Sequence, residues 1–265
     1  MIDYCYHTHT YRCGHAKGRE EDYVLAAIGK GFKVIGFTDH VFLPNIEQPG
    51  MRGSYLELDD YINTINELKY KYRNQIEIHL GFECEYDEEL EPYYHYLKEE
   101  KGIEYLILGQ HLDYHHGDLI WIAQCGNSPE EIMATYSEKV IKGIKSGLFS
   151  YVAHPDLVLR FCYEINPFIE AHLRKMCEVA AEYNIPFELN LGGLRNRSEG
   201  DTHLQYPNKE FFKIVSEYNI KVIIGLDTHN PVDFYSSDND FAFMEKWIEE
   251  IPLRHVNRLD FSKKL

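Results

Sequence analysis

The chain has 265 residues, 44% of them hydrophobic and 26% charged, proportions that exclude a disordered, collagen-like or low-complexity scaffold. With 27 Lys and Arg against 43 Asp and Glu the formal charge is −16. That field repels polyanions and argues against a general nucleic-acid binder, so a phosphate-bearing ligand would need a local exception. The opening from Met1 to Cys13 lacks a basic stretch followed by an apolar one, no apolar run approaches the ~18 residues of a membrane span, and the six cysteines include no CxxC pair. These features predict a soluble, cytoplasmic protein with reduced thiols.

Short β-branched or aromatic runs alternate with longer amphipathic stretches, the pattern of repeated βα units in a mainly parallel sheet. In chain order the reading is strand 2–6, helix 20–29, strand 33–37, helix 59–72, strand 76–82, helix 88–101, strand 105–108, helix 129–145, strand 149–153, helix 167–183, strand 187–190, helix 208–218, strand 222–225 and helix 240–250. Ser128-Pro129-Glu130-Glu131 marks a helix start with a capping hydroxyl, a first-turn proline and two acids, and Asn166-Pro167 and Pro207-Asn208 mark two more. No linker-like segment breaks the alternation, so residues 1–265 read as a single domain. Periodicity does not choose between an open doubly wound sheet and a closed barrel. No GxGxxG follows the first strand, however, and no GxxxxGK[ST] occurs, so the usual nucleotide-binding fingerprints are missing.

Polar residues at the strand ends favour the barrel. His7-Thr8-His9 closes the first strand, and alternation puts both imidazoles on one side. Later strands run into Thr38-Asp39-His40, Glu83-Cys84-Glu85, Gln110-His111, His154-Pro155-Asp156 and Asp227-Thr228-His229. The C-terminal ends of parallel strands form the functional mouth of a barrel, and mixed imidazole and carboxylate donors suit Zn, Mn or Fe. The strand over 187–190 supplies no such ligand and reads as the substrate side. His15 lies on the first loop, and His115 and His116 read as a loop flanking the mouth. His79, His95, His172 and His255 read as structural, and His203 stays open.

The ordered set His7-x-His9, His15, Thr38-Asp39-His40, Glu83, His111, His154 and Asp227-x-His229 resembles the polymerase and histidinol phosphatase (PHP) superfamily, in particular its stand-alone histidinol-phosphate phosphatases, over nearly the whole chain. The resemblance implies a distorted (β/α)7 barrel of the TIM-like kind, with three divalent metal ions at the C-terminal mouth of the strands. By position, His7, His9, Glu83 and Asp227 would hold the first ion and Glu83, His111 and His154 the second. His15, His40 and His229 would hold the third, with Asp39 orienting its neighbour from behind.

Two cations bridged by one carboxylate lower the pKa of a shared water toward about 7, which gives hydroxide for attack on phosphorus at neutral pH. Asp227 is the first candidate for moving the proton to the leaving oxygen, and His229 the second. Arg160, Arg195 and Arg197 follow the fifth and sixth predicted strands; Arg160 and Arg197 are the expected phosphate contacts, and Arg195 reads as a surface ion pair. Phe42, Phe161 and Glu85 are candidates for recognising an imidazole or amine. The expectation is hydrolysis of L-histidinol phosphate to L-histidinol and phosphate, in histidine biosynthesis, without nucleic-acid or membrane partners. The competing readings are a PHP-type nuclease or a nucleotide or sugar phosphatase, an amide or lactone hydrolase, and a non-catalytic metal-binding module.

Overall fold

Runs such as Val34–Phe37 and Tyr105–Leu108 contain no charged side chain and are buried throughout, as strands covered on both faces require. The computed structural model describes residues 2–115, 118–197 and 200–261, and in it each of the seven expected strands is present. The elements in chain order are β1 (Tyr4–Cys5), α1 (Glu20–Lys30), β2 (Val34–Phe37), α2 (Leu58–Tyr72), β3 (Glu77–Cys84), α3 (Glu91–Glu99), β4 (Tyr105–Leu108), β5 (Leu112–His115) and β6 (Asp118–Trp121). They continue with α4 (Pro129–Ser146), β7 (Tyr151–Val152), α5 (Pro167–Glu182), β8 (Phe187–Asn190), α6 (Leu191–Arg195), α7 (Lys209–Glu217), β9 (Lys221–Gly225), α8 (Asp233–Ser236), α9 (Asp238–Glu250) and β10 (Arg254–His255).

The main sheet runs β1-β2-β3-β4-β7-β8-β9-β10, with every pairing parallel. It curls into a distorted barrel whose closure differs between its two ends. At the mouth, Thr8 bridges Thr228 in parallel fashion and the His9 N–H donates to the Thr228 carbonyl at 3.0 Å, which joins the ends of the first and ninth strands directly. At the base, β10 lies along the start of β9, and the Tyr4 hydroxyl reaches His255 Nε2 at 2.9 Å and the Val256 carbonyl at 3.3 Å. The short strand β10 is therefore a filler at the base rather than a further βα unit.

Pairing continues past the regular strands into the loops at the mouth. Thr38 N–H donates to Thr8 O, Glu83 N–H to Asp39 O, Val41 N–H to Glu83 O and Ala153 N–H to Leu108 O, at 2.8–3.1 Å. The rim is thus hydrogen-bonded like the barrel below it. The three marked helix starts are capped as read: Ser128 Oγ accepts from Glu131 N–H, Asn166 Oδ1 from Phe168 and Ile169 N–H, and Asn208 Oδ1 from Glu210 and Phe211 N–H.

One expectation changes. His115 ends a strand of the antiparallel hairpin β5–β6, where Leu112 faces Trp121, instead of lying in an irregular loop; His116 lies outside the described residues. The hairpin's outer strand is largely exposed, so it lacks the buried stripe that marks a strand in sequence. None of the six cysteines is joined to another. Among the described residues no helix is long and apolar enough to cross a membrane.

Alternation along β3 turns Phe82 outward and Glu83 inward. Phe82 is fully buried between Tyr61 of α2, at 4.9 Å between ring centroids, and Phe42, at 5.3 Å. The substitution Phe82→Ala is expected to destabilise the chain by about 3–5 kcal/mol, read as a lowered urea midpoint; a loss below ~1 kcal/mol would show that this layer does not fix β3.

Candidate metal centre

The mouth gathers residues far apart in sequence around one carboxylate. Glu83, at the end of β3, is 1% exposed. Its Oε2 lies 3.4 Å from His7 Nε2, 3.3 Å from His9 Nε2 and 3.2 Å from His40 Nδ1, while its Oε1 lies 2.8 Å from His154 Nε2 and 3.7 Å from His111 Nε2. The end of the neighbouring strand β4 makes room for it, since a Cβ on Gly109 would overlap the Glu83 carboxylate. Asp227 completes the first group, with Oδ1 at 3.5 Å from both His7 Nε2 and His9 Nε2, and those two nitrogens are 3.1 Å apart. His15 and His229 meet at 3.0 Å between Nε2 atoms, and donor atoms of His9, His40 and His229 lie within 4.8 Å of one another.

These separations fit a cation. A tetrahedral ion with ligands at about 2.0–2.1 Å has ligand-to-ligand edges of about 3.3 Å, and the five measured edges among His7, His9, Glu83 and Asp227 run from 3.1 to 3.5 Å. Two of the atoms that face one another there are also left without a hydrogen bond: Glu83 Oε2 and His40 Nδ1, both buried. An uncompensated carboxylate among imidazoles is costly to bury unless a further charge is shared among them.

Two rim residues carry backbone conformations that side chains disfavour. His154 has φ 30° and Asp227 φ 47°; each such residue costs on the order of 1–3 kcal/mol and persists where its surroundings hold it. Tyr136 donates its hydroxyl to the His154 carbonyl at 3.3 Å, and Arg195 donates to the carbonyls of Leu226 and Asp227 at 2.6 and 3.1 Å. Arg195, read in the sequence as a surface ion pair, does lie 3.8 Å from Asp233 Oδ2 and is in addition a brace for the Asp227 segment. Its distance in sequence from Asp227 hid that contact.

Further placements adjust the reading. Asp39 accepts from the Thr10 N–H at 2.8 Å and the Thr10 hydroxyl at 2.7 Å, so it fastens the loop beyond His9. Phe42 is buried in the core, not exposed at the mouth. Glu85 is buried in an ion pair with Arg52 at 3.1 Å and lies 3.6 Å from His111 Nδ1, which places it behind a rim imidazole. Phe161 packs against the core. Arg160 lies over the ring of Tyr206, which itself sits 6.0 Å from the His154 ring, while Arg197 donates to the Pro207 carbonyl. His79 pairs with Glu77 and Glu104, His95 with Glu99, His172 with Ser137 and His255 with Tyr4, all in structural roles. His203 bonds Asp201 and stacks on Tyr163 at 4.3 Å.

The strand over 187–190 supplies no ligand, as expected, but it does bring a charged side chain to the back of the site. Glu188 of β8 is fully buried and its Oε1 lies 2.8 Å from His7 Nδ1. It sits within the strand rather than at its end, so inspection of strand ends alone overlooks it; alternation with Phe187 and Leu189 was the available signal.

The electrostatics divide the imidazoles. Burial opposes charge on His7 and His9, but Glu188, Asp227 and Glu83 outweigh it for His7, and Asp227 and Glu83 outweigh it for His9, lifting His7 well above the usual range and His9 to about 9. Burial, followed by repulsion from His9, lowers His15 and His40 and takes His229 to about 3. Burial also opposes ionisation of Glu83 and Asp227, yet the surrounding imidazoles hold both well below the carboxylate range.

Comparison with known proteins follows this geometry. The profile of the family described as PHP domain matches residues 6–192. A histidinol-phosphatase from Bacillus subtilis is 28% identical over 91% of this chain and 97% of its own length. A protein of Deinococcus radiodurans described as "Probable histidinol-phosphatase" is 25% identical over 85% of each chain. The crystal structure of histidinol phosphate phosphatase from Lactococcus lactis, complexed with zinc, L-histidinol and phosphate, superposes with a TM-score of 0.73 at 17% identity, covering 98% of this chain and 99% of that one.

A prediction about protons follows. In the metal-free protein at pH 7 the His7–His9 pair, whose Nε2 atoms meet at 3.1 Å, holds a proton whereas His15, His40 and His229 do not, so a cation entering the first group must displace at least that proton. Zinc affinity there is expected to weaken as pH falls below about 9, the value for His9, and zinc titration in weak buffer with an indicator dye should show the release. Binding with no proton release between pH 6 and 8 would contradict this assignment.

Proposed function

The chain belongs to the PHP domain family, and from that premise we propose that it is a metal-dependent phosphomonoesterase that hydrolyses L-histidinol phosphate to L-histidinol and inorganic phosphate in the cytoplasm. The observation that carries this reading is the convergence of nine donor side chains, from His7 to His229, on the mouth of one barrel. We read residues 1–265 as one catalytic domain, because its ligands come from both ends of the chain. The names of the Bacillus and Lactococcus proteins support the substrate assignment.

In this reading three divalent ions, Zn, Mn or Fe, would be held by His7, His9, Glu83 and Asp227, by Glu83, His111 and His154, and by His15, His40 and His229. Bound there, such ions polarise the phosphoryl group and lower the pKa of water at neutral pH. The chain's own residues do the rest. Glu83 offers one oxygen to each of the first two groups and so fixes their separation. Asp227 faces His7 and His9 through Oδ1 and receives Asn190 Nδ2 at Oδ2, 3.2 Å away. Ionised and held in place, it takes the proton of the attacking water and returns it to the leaving alkoxide. His229, whose Nδ1 lies 3.5 Å from Asp227 Oδ1, is neutral at pH 7 and is the alternative acceptor.

Arg160 and Arg197 contribute the phosphate contacts, Arg160 from beside Tyr206 on the His154 side of the mouth. The formal charge of −16 disfavours long polyanions, while a cation-filled mouth attracts a small phosphate ester.

The experiment is phosphate release from L-histidinol phosphate, nucleotides, sugar phosphates and single-stranded DNA by metal-loaded protein. Preference for histidinol phosphate is expected; preference for DNA or a nucleotide would overturn the substrate. Glu83→Ala should lose at least one bound ion and at least about a hundredfold in kcat, since even outer partners of metal ligands contribute 10–100-fold. Arg160→Ala and Arg197→Ala should raise KM roughly 10- to 100-fold, the size of a lost charge-assisted hydrogen bond of about 1.5–3 kcal/mol. Unchanged kinetics in both would remove them from the substrate site.

A further inference from the structure

We infer that Glu188 is a positioning residue for the cation centre: one buried carboxylate, on the strand that supplies no ligand, sets the orientation of three residues that do. Its Oε1 pairs with His7 Nδ1 at 2.8 Å. Its Oε2 accepts from the His154 N–H at 3.0 Å and from Asn190 Nδ2 at 2.8 Å, and the same Asn190 amide donates to Asp227 Oδ2 at 3.2 Å. Three donors thus surround an oxygen pair that has no contact with water. The inference rests on the metal-centre reading above and adds to it a residue outside the ligand set.

The geometry gives each contact a consequence. With Nδ1 committed to Glu188, His7 presents Nε2 to Glu83 and Asp227 at 3.4 and 3.5 Å. The rear nitrogens of His15 and His229 rest instead on the carbonyls of Cys13 and Asp227, each at 3.2 Å. A carboxylate behind an imidazole fixes its tautomer and raises its basicity, which strengthens its bond to a cation. The N–H bond to His154 holds a residue whose φ of 30° needs support. Through Asn190 the same group limits rotation of the Asp227 carboxylate.

The fold also reserves space for this side chain. A Cβ on Gly225 of β9 would overlap the Glu188 carboxylate, just as one on Gly109 would overlap Glu83. Both glycines thus lie against an inward carboxylate of the neighbouring strand.

The test compares Glu188→Gln with the unaltered protein. The amide keeps the volume but cannot accept from all three donors. The variant is expected to remain folded by circular dichroism and to bind one zinc ion 10- to 100-fold more weakly in chelator competition. Its kcat should fall while KM stays within about twofold, and excess zinc should restore part of the activity. Zinc affinity within twofold of the unaltered protein would overturn the inference. If the unaltered protein itself bound no zinc and released no phosphate, the metal-centre reading would fail first. A readout that needs no variant is the long-range proton–nitrogen spectrum of the zinc-loaded unaltered protein. His7 is expected to carry its proton on Nδ1 and zinc on Nε2, and zinc on Nδ1 would exclude the role of Glu188.

Discussion

An ionised carboxylate sealed from water, with imidazoles on nearly every side, sets the terms for the mouth of this barrel. Glu83 lies within 3.7 Å of donor nitrogens from His7, His9, His40, His111 and His154. Such a group is unfavourable to bury by itself, and a proton held by the His7–His9 pair helps offset its charge in the metal-free protein. In the proposed metal-loaded form cations take over that role, because each takes electron pairs that otherwise face one another. The backbone follows from the same demand: a glycine beside Glu83, strand pairing extended to His40 and Glu83, and two candidate ligands, His154 and Asp227, held at positive φ.

The barrel solves a problem of convergence. Parallel strands end at one rim, so a residue at the end of each needs only the right local alternation to face its counterparts. Direct closure between Thr8 and Thr228 matters because it brings the His7–His9 pair and the Asp227–His229 pair side by side, and these come from the first and ninth strands. Closure at the base uses β10 and Tyr4, which leaves the mouth free of an extra strand. In the proposed function the acidic exterior and a cation-filled mouth would select together, a small phosphate ester reaching the mouth while an extended polyanion meets the surface field.

Much of this was legible in the sequence because the determining signals are local. Strand length, helix caps such as Ser128 and Asn166, and two residues of one face in His7-x-His9 or Asp227-x-His229 are properties of neighbours along the chain. The remaining features are contacts between distant segments. Glu188 stands mid-strand with apolar neighbours, and its partner His7 is 181 positions away. Arg195 acts on carbonyls, which leave no mark in a pattern of side chains. Phe42 and Glu85 follow strand-end motifs and resemble mouth residues in sequence, but one joins the aromatic layer over β3 and the other pairs with Arg52. The β5–β6 hairpin buries too little of its outer strand to show a period.

In the proposed function these donors clasp divalent cations at a single rim. Anomalous diffraction at the zinc edge from crystals of zinc-loaded protein tests it most directly. Peaks are expected to flank the two oxygens of Glu83, one beside His7, His9 and Asp227 and one beside His111 and His154, with a further peak near His15 and His229. Zinc confined to surface acids, with no peak within bonding distance of Glu83, would contradict it.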